Sequence, residues 1–397
     1  MMLRIAFTLE QSWHRVPGGT AVAALETLRA LEKRGRVGLV GVTAHHRRPP
    51  SAAWDPRVWA PTVPVRALPL PRRLLYECWH TIRYPPVERA TGGVDVIHAT
   101  GIAVPPPSAP LVYTLHDLAF RHEPSWFTAN GRRFFERALE LALRRADMVV
   151  CPSEATRRDC VAAGFAAERV RVIPLGTEPV PVGPDRVGRV RAAYGLNRPY
   201  VLWTGSVEPR KNLRRLVEAF TRLGRNDLDL VLVGPDGWGA ETGSLLASAA
   251  GRIRPLGFVP RHELAALYAG AQLFCYPSLL EGFGLPVAEA MAQGTPVVTS
   301  AGTATEEVVG GGGLVVDPTD VGAIAAAMNT VLEDPDLAQG LGSEGERLAA
   351  ARFTWDRVAD RLEAVYEEVA GRVRGPRQEG RDPRQEGRDP RQKGIDE

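Results

Sequence analysis

The chain of 397 residues is 44% hydrophobic and carries a formal net charge of +3. That length suits two domains with real cores, the mild charge does not point to nucleic acid, and no apolar run approaches the length of a membrane span. The N-terminus, MMLRIAFTLEQ, turns polar too soon for a signal peptide. Cys78, Cys151, Cys160 and Cys275 form no CxxC pair and fit no common metal spacing, so free thiols in a reducing, cytoplasmic setting are expected.

In chain order, LRIAFTL (3–9) reads as a strand, followed by a helix in GGTAVAALETLRALEKRG (18–35), where Val22, Leu25, Leu28 and Leu31 recur at helical spacing. GLVGVT (38–43), VDVIHA (94–99), LVYTLH (111–116), MVVC (148–151) and VRVIP (170–174) are unalternated apolar runs, with helices near 131–145 and 153–163 between the later ones. Such runs suit parallel strands covered on both faces. Between them, PRRLLYECWHTIRYPP (71–86) mixes basic and aromatic residues. That composition suits a bilayer surface or a lipid-linked acceptor, and an ordinary helix explains it equally well.

TEPVPVGPD (177–185) is proline-rich and aperiodic and reads as a linker, after which a second series starts: YVLWTG (200–205), LDLVLVG (228–234), IRPLGFV (253–259), QLFCYP (272–277), TPVVTS (295–300) and GGLVVD (312–317). The fold class is therefore α/β, with two doubly wound halves. In 353–373, Trp355, Val358, Leu362, Val365, Tyr366 and Val369 form one apolar helical stripe that Thr354 is placed to cap. PRQ then recurs at 376, 383 and 390 without apolar residues, which reads as a disordered tail over 374–397. The expected division is 1–178, a linker 179–198, 199–352, the helix 353–373 and the tail.

Chemistry concentrates at two strand-to-helix turns. In YPSLLEGFGLPVAEAM (276–291), Gly282 and Gly284 allow close backbone approach, Pro286 suits a first helical turn, and the free amides there suit a phosphate. Glu281 and Glu289 flank this turn as acceptors for hydroxyls, an arrangement matching the two sugars and central diphosphate of a nucleotide sugar. A tight turn with one solvated acid and one acid complementing the helix dipole accounts for the turn alone as well. In TGSVEPRKNLRRLVEAF (204–220), Arg210 and Lys211 place two cations at a helix start, where the dipole disfavours them, which suggests an anion to compensate. Of 49 basic residues only Lys33, Lys211 and Lys393 are lysine, so a lone central lysine points to a need for a compact ammonium.

Gly18 and Gly19 open the first helix as a second phosphate contact, although no GxGxxG is present, which argues against a nicotinamide dehydrogenase. His116, with Asp117 beside it, follows a buried strand, and a structural histidine is the alternative; His98 shares that geometry more weakly. DLD (227–229) and DPD (334–336) read as loop residues, so no metal is expected.

Together these motifs resemble the retaining glycosyltransferases of the GT-B fold, family 4 type, over about residues 2–370. EGFGLPVAE matches that family's E-x7-E element and GSVEPRKN its phosphate-binding turn; the GG helix start, DVIHATG, HD, ADMVVCPSEATRRD, VRVIPLG and GFVPRHELAALYAGA add weaker support. The resemblance implies two Rossmann-like domains facing across a cleft, an N-terminal one for the acceptor and a C-terminal one for the nucleotide sugar, with the last helix crossing back to the first. It implies that Glu289 binds ribose hydroxyls, Glu281 sits at the donor sugar, and Gly282 with the amides of Phe283, Gly284 and Leu285 meets the sugar and diphosphate. Arg210 and Lys211 would stabilise the leaving nucleoside diphosphate, His116 would lie at the sugar on the acceptor side, Gly18 and Gly19 would approach the diphosphate, and the base would stack near Phe258 and Val259. The sequence departs from the family at Gly205-Ser206, where Gly-Arg is common, and at Glu306-Glu307, where Pro-Glu is common.

The expected partners are a nucleotide-sugar donor, with GDP-mannose preferred because EPRKN resembles bacterial mannosyltransferases and UDP-sugars left open, and a glycan, lipid-linked or small-molecule acceptor. No cofactor or metal is called for. A nucleotide-sugar epimerase of the same architecture and a non-catalytic two-lobed sugar-binding protein are the rival readings.

Overall fold

The computed structural model describes residues 2–14, 18–47, 60–177, 182–235 and 251–374. Seven strands, β1 (Arg4–Thr8), β2 (Gly38–Thr43), β3 (Val65–Ala67), β4 (Val96–Ala99), β5 (Leu111–Thr114), β6 (Met148–Cys151) and β7 (Val170–Val172), form one sheet in the order β3-β2-β1-β4-β5-β6-β7. Six more, β8 (Tyr200–Thr204), β9 (Asp229–Val233), β10 (Ile253–Gly257), β11 (Leu273–Tyr276), β12 (Val297–Ser300) and β13 (Gly313–Val316), form a second in the order β10-β9-β8-β11-β12-β13. Every pairing is parallel. The residues of β4, β6, β8, β11 and β12 are buried throughout, as two-sided helix cover requires. Among the described strands only the three-residue edge strand β3 lies outside the runs read from the sequence; Val-Arg-Ala is too short to show a period.

In each sheet the chain starts at the centre, winds outward, then returns to the other side. The order reverses between β1 and β4 in the first sheet and between β8 and β11 in the second. Ligands of open α/β sheets bind at the carboxyl ends of strands at such reversals, so the loops after β1, β4, β8 and β11 are where a site belongs.

The stretch read as a linker contains the helix Pro184–Ala193. Pro184 opens it, where a missing N–H costs nothing, and Val190 is buried in the core of the second sheet. A short helix with one buried anchor carries too weak a stripe to be read as periodic. Near the end, the helix Trp355–Arg374 returns to the first sheet: Trp355, Val358, Leu362, Val365, Tyr366 and Val369 share a core with Ile5, Phe7 and Leu28. Thr354 Oγ1 accepts the Arg357 amide at 3.3 Å, the expected cap. Arg34 ties the helix Gly19–Arg34 to this returning helix through Glu363 at 3.0 Å and Asp360 at 2.7 Å. The two strands of chain passing between the halves run side by side, where the Thr177 amide donates to the Phe353 carbonyl at 2.7 Å. The tail lies, beyond Arg374, outside the described residues.

Candidate active site

The chain leaves β8 at Thr204 and makes a single 3-10 turn, Pro209–Lys211, before the helix Leu213–Arg222. Asn212 joins them in the left-handed region at φ 56°. Its side-chain Nδ2 donates to the carbonyls of Pro277 at 2.8 Å and Pro318 at 2.6 Å, locking this turn to the loop after β11. The Leu279 amide donates to the Arg210 carbonyl at 2.8 Å, and Ser278 Oγ lies 2.9 Å from the same oxygen. The two turns that the sequence singled out are thus one laced unit.

At its centre is the Glu281 carboxylate. Its Oε1 accepts from Lys211 Nζ at 2.6 Å, Ser278 Oγ at 2.6 Å and Tyr276 OH at 3.1 Å, and its Oε2 from Arg210 Nη1 at 3.3 Å. Lys211 Nζ also reaches Tyr276 OH at 2.6 Å, and Arg210 Nε reaches Glu208 at 2.8 Å. Burial opposes the charge on Glu281, but Lys211 and then Arg210 outweigh it and hold the carboxyl down at about 2. Burial likewise pulls the Lys211 ammonium below its ordinary value, with Glu281 opposing. On Arg210 the attraction of Glu281 and Glu208 exceeds the burial penalty and raises its pKa. The anion that two cations at a helix start call for is therefore supplied within the chain. An ammonium has three N–H donors and a guanidinium five. Lys211 spends two on the partners named and Arg210 two, which leaves donors on both for a further anion.

Glu289 lies on the helix Leu285–Ala292, which follows Gly284 at φ 95°. It accepts from Tyr268 OH at 3.2 Å and lies 3.8 Å from Arg261, whose other nitrogen is 2.5 Å from Glu26 on the first helix. Burial pushes the Glu289 carboxyl up, with Arg261 opposing. This carboxylate–arginine–carboxylate chain bridges the two halves from the middle of that helix. Arg261, Tyr268 and Glu26 were not picked out from the sequence; Arg261 and Tyr268 lie within GFVPRHELAALYAGA, a weak motif, and Glu26 within the first helix.

From the first half, His116 stands past the end of β5 with Nε2 3.4 Å from the Thr100 carbonyl, and burial keeps its pKa below the ordinary histidine value. The backbone of Gly282 sits directly on it: a Cβ at Gly282 would lie 1.8 Å from the His116 carbonyl oxygen. Glycine is required here for contact between the halves. The Gly282 carbonyl accepts from Ser153 Oγ at 2.7 Å and Thr156 Oγ1 at 3.2 Å. Beside it, both oxygens of Glu307 accept the amides of Glu154 and Ala155, at 2.9 and 2.7 Å, at the start of the helix Glu154–Ala162. An anion at a helix N-terminus is favourable. Glu307, within the departure from the family pattern at Glu306-Glu307, is thus a clasp between the halves. Gly18 caps the first helix and Gly19 begins it, and a Cβ on either would meet nothing within 4 Å.

Several predicted residues turn away from the cleft. The Phe283 ring packs edge-on to Phe353 at 5.5 Å, and Leu285 and Val259 are buried in the core of the second sheet, so Phe283 and Leu285 have only backbone to offer. Phe258 is half-buried. His98 is structural: its nitrogens lie 2.7 Å from Tyr366 OH and 2.7 Å from Thr114 Oγ1, and burial lowers its pKa to about 3. Asp227 pairs with Arg225 and Asp229 with Arg198, while Asp334 caps the helix Pro335–Arg352. Among the described residues no group of three or more metal-ligating side chains occurs, and no helix is long and apolar enough to cross a membrane.

Two family models match the chain: Glycosyltransferase Family 4 over residues 17–180 and Glycosyl transferases group 1 over residues 189–348. The chain is 35% identical to the O-antigen chain mannosyltransferase B of Escherichia coli over 66% of its own length and 71% of that protein. It is 33% identical to the MMP alpha-(1->4)-mannosyltransferase of Mycolicibacterium hassiacum over 71% and 72%, and 30% identical to a D-inositol 3-phosphate glycosyltransferase of Xylanimonas cellulosilytica over 89% and 93%. Among solved structures it superposes on Anabaena HepE in complex with UDP-glucose with a TM-score of 0.74 at 22% identity, covering 92% of this chain and all of that one. These likenesses show the GT-B fold.

Proposed function

Since the chain belongs to the glycosyl transferases of group 1, with a first half of the Family 4 type, we propose that it moves a hexose from a nucleoside-diphosphate sugar to an acceptor hydroxyl with retention at the anomeric carbon. The observation that carries this is the set of donors left on Lys211 and Arg210 once Glu281 has been served. Lys211 is buried and Arg210 half-buried, both are paired with the Glu281 carboxylate, and both stand past a strand end at a reversal point of the sheet. Preorganised donors of this kind act on charge that develops as a bond breaks, and a departing diphosphate is the anion that fits. The names of the relatives and the EPRKN turn favour GDP-mannose as the donor.

In this reading the acceptor oxygen attacks the anomeric carbon from the face the nucleotide leaves, and the acceptor proton passes to the departing phosphate oxygen. Lys211 and Arg210 bear the diphosphate charge, with the helix start at Gly284 and Leu285 adding amides. Glu289 receives ribose hydroxyls, Phe258 borders the base, and His116 faces the transferred sugar as a neutral imidazole. Contact of Gly282 with His116 assembles the site only when the halves close. We further propose that the exposed Leu74, Ile82 and Tyr84 rest on the cytoplasmic face of a membrane, which co-sedimentation with liposomes tests.

Following the anomeric protons by NMR while the chain acts on GDP-mannose or UDP-glucose with a panel of glycosides tests the reaction. An α-linked product from an α-linked donor is expected. A β-linked product overturns retention, and epimer formed from a UDP-sugar alone overturns transfer.

A further inference from the structure

A cavity of about 390 Å³ opens directly beside Arg210, between the loop after β5 and the helix Ala129–Arg145. Its two ends differ in chemistry. Next to the second half its rim carries Asp117, Glu208 and Arg210. Elsewhere its wall includes Ile102, Phe120, Trp126, Phe127 and Phe135. Phe135 organises this wall, with Phe120 stacked on it at 5.3 Å and Phe127 edge-on at 5.7 Å. Ile102, Trp126, Phe127 and Phe135 all keep exposed surface, and Ile102 is 41% exposed. These side chains thus present an apolar face that the fold itself leaves uncovered.

The charge at the rim narrows what enters. Arg210 is the one Lys or Arg among the described lining residues, and it is already paired with Glu208 and Glu281. Two carboxylates stand beside it. A phosphorylated acceptor would face net negative charge there, the donors left on Arg210 being those assigned to the diphosphate. A hydroxyl fits: one Asp117 oxygen accepts the Ala119 amide at 3.1 Å, and the second has no partner among the described residues.

Resting on the transferase reading above, we propose that the acceptor is an uncharged amphiphile, a hydroxyl-bearing head held at Asp117 on an alkyl or aryl body lying against Phe135, Phe127 and Ile102. As the new bond forms between the acceptor oxygen and the anomeric carbon, the bond from that carbon to the diphosphate oxygen breaks, and the acceptor proton leaves on the phosphate. Asp117 therefore orients the head by accepting a hydrogen bond and takes no proton.

Calorimetric titration of the GDP-loaded chain with octyl, p-nitrophenyl and methyl glycosides of mannose and glucose, and with mannose 6-phosphate, tests this without requiring turnover. The octyl or p-nitrophenyl glycoside is expected to bind at least about tenfold tighter than the methyl glycoside, since apolar contacts of a few carbons discriminate on that scale. Which of the two wins distinguishes an alkyl from an aryl body. Mannose 6-phosphate is expected not to bind. Phe135→Ala and, at an exposed position that folding tolerates, Ile102→Ser should each remove most of the advantage. Equal binding of methyl and apolar glycosides, no binding by any apolar glycoside, tighter binding of the phosphate, or an advantage that survives both substitutions overturns the proposal. GDP titrated alone reports separately on the donor site, so its failure counts against the transferase reading instead.

Discussion

Lys211 Nζ and Glu281 Oε1 lie 2.6 Å apart, and each side chain is only 8% exposed. A lysine in the first turn after one strand and a glutamate in the turn after its neighbour in the sheet form one buried pair. Replacing Lys211 by Ala should lower kcat/KM by on the order of a hundredfold or more, as loss of a preorganised donor does. It also strands Glu281, so stability falls with it. The double variant Lys211→Ala/Glu281→Gln separates the two effects. It should regain most of the unfolding midpoint and none of the rate.

The same pair sets a pH dependence. Glu281 is held at about 2 against an ordinary value of 4.5. A depressed carboxyl contributes stability that is complete above 4.5 and is lost as pH falls toward 2. The contribution is on the order of 3 kcal/mol. Urea titrations between pH 6 and pH 2 should show the wild-type chain losing more stability than Glu281→Gln. Parallel losses in the two chains count against an ionised Glu281.

Glu289 is predicted to act on donor binding more than on chemistry. A hydrogen bond to a charged group contributes about 1.5–3 kcal/mol, so Glu289→Gln should raise the donor KM roughly tenfold or more and leave kcat within a few-fold. Steady-state kinetics with varied donor distinguish this from a fall in kcat alone.

Glu307 holds the amides of Glu154 and Ala155 from across the interface. Glu307→Gln can satisfy only one of these two donors well. The cost expected is about 1–3 kcal/mol of interface stability. Small-angle scattering should show a larger radius of gyration, and kcat should fall, with nucleotide affinity unchanged. An unaltered scattering profile together with unaltered kcat contradicts the clasp.

The strand series and the returning helix were legible because buried parallel strands read as unbroken apolar runs and the stripe from Trp355 to Val369 keeps one face. The helix Pro184–Ala193 was missed because it buries little more than Val190. At the site, Arg210, Lys211, Glu281 and Glu289 were visible through their placement at turns and through the rarity of lysine. Their geometry was not. Two cations at a turn imply an anion without showing where it comes from, and Glu281, 70 residues beyond Lys211, is that anion. Contacts across the interface, such as Ser153 with Gly282 or Glu307 with Ala155, join residues more than a hundred positions apart, and no local pattern marks them. Phe283 and Val259 show the opposite limit: a motif names a position without saying which way its side chain turns.

The most direct test of the account is a titration of GDP-, UDP- and ADP-sugars, and of the free sugars, into the wild-type chain and Lys211→Ala/Glu281→Gln, read by calorimetry or by the rise in unfolding temperature that ligand binding produces. The account predicts that a nucleotide sugar, GDP-mannose foremost, stabilises the wild-type chain, that free mannose does not, and that the double variant binds the same donor at least about tenfold more weakly. Stabilisation by free sugar as large as by nucleotide sugar, or donor affinity unchanged in the double variant, would contradict it.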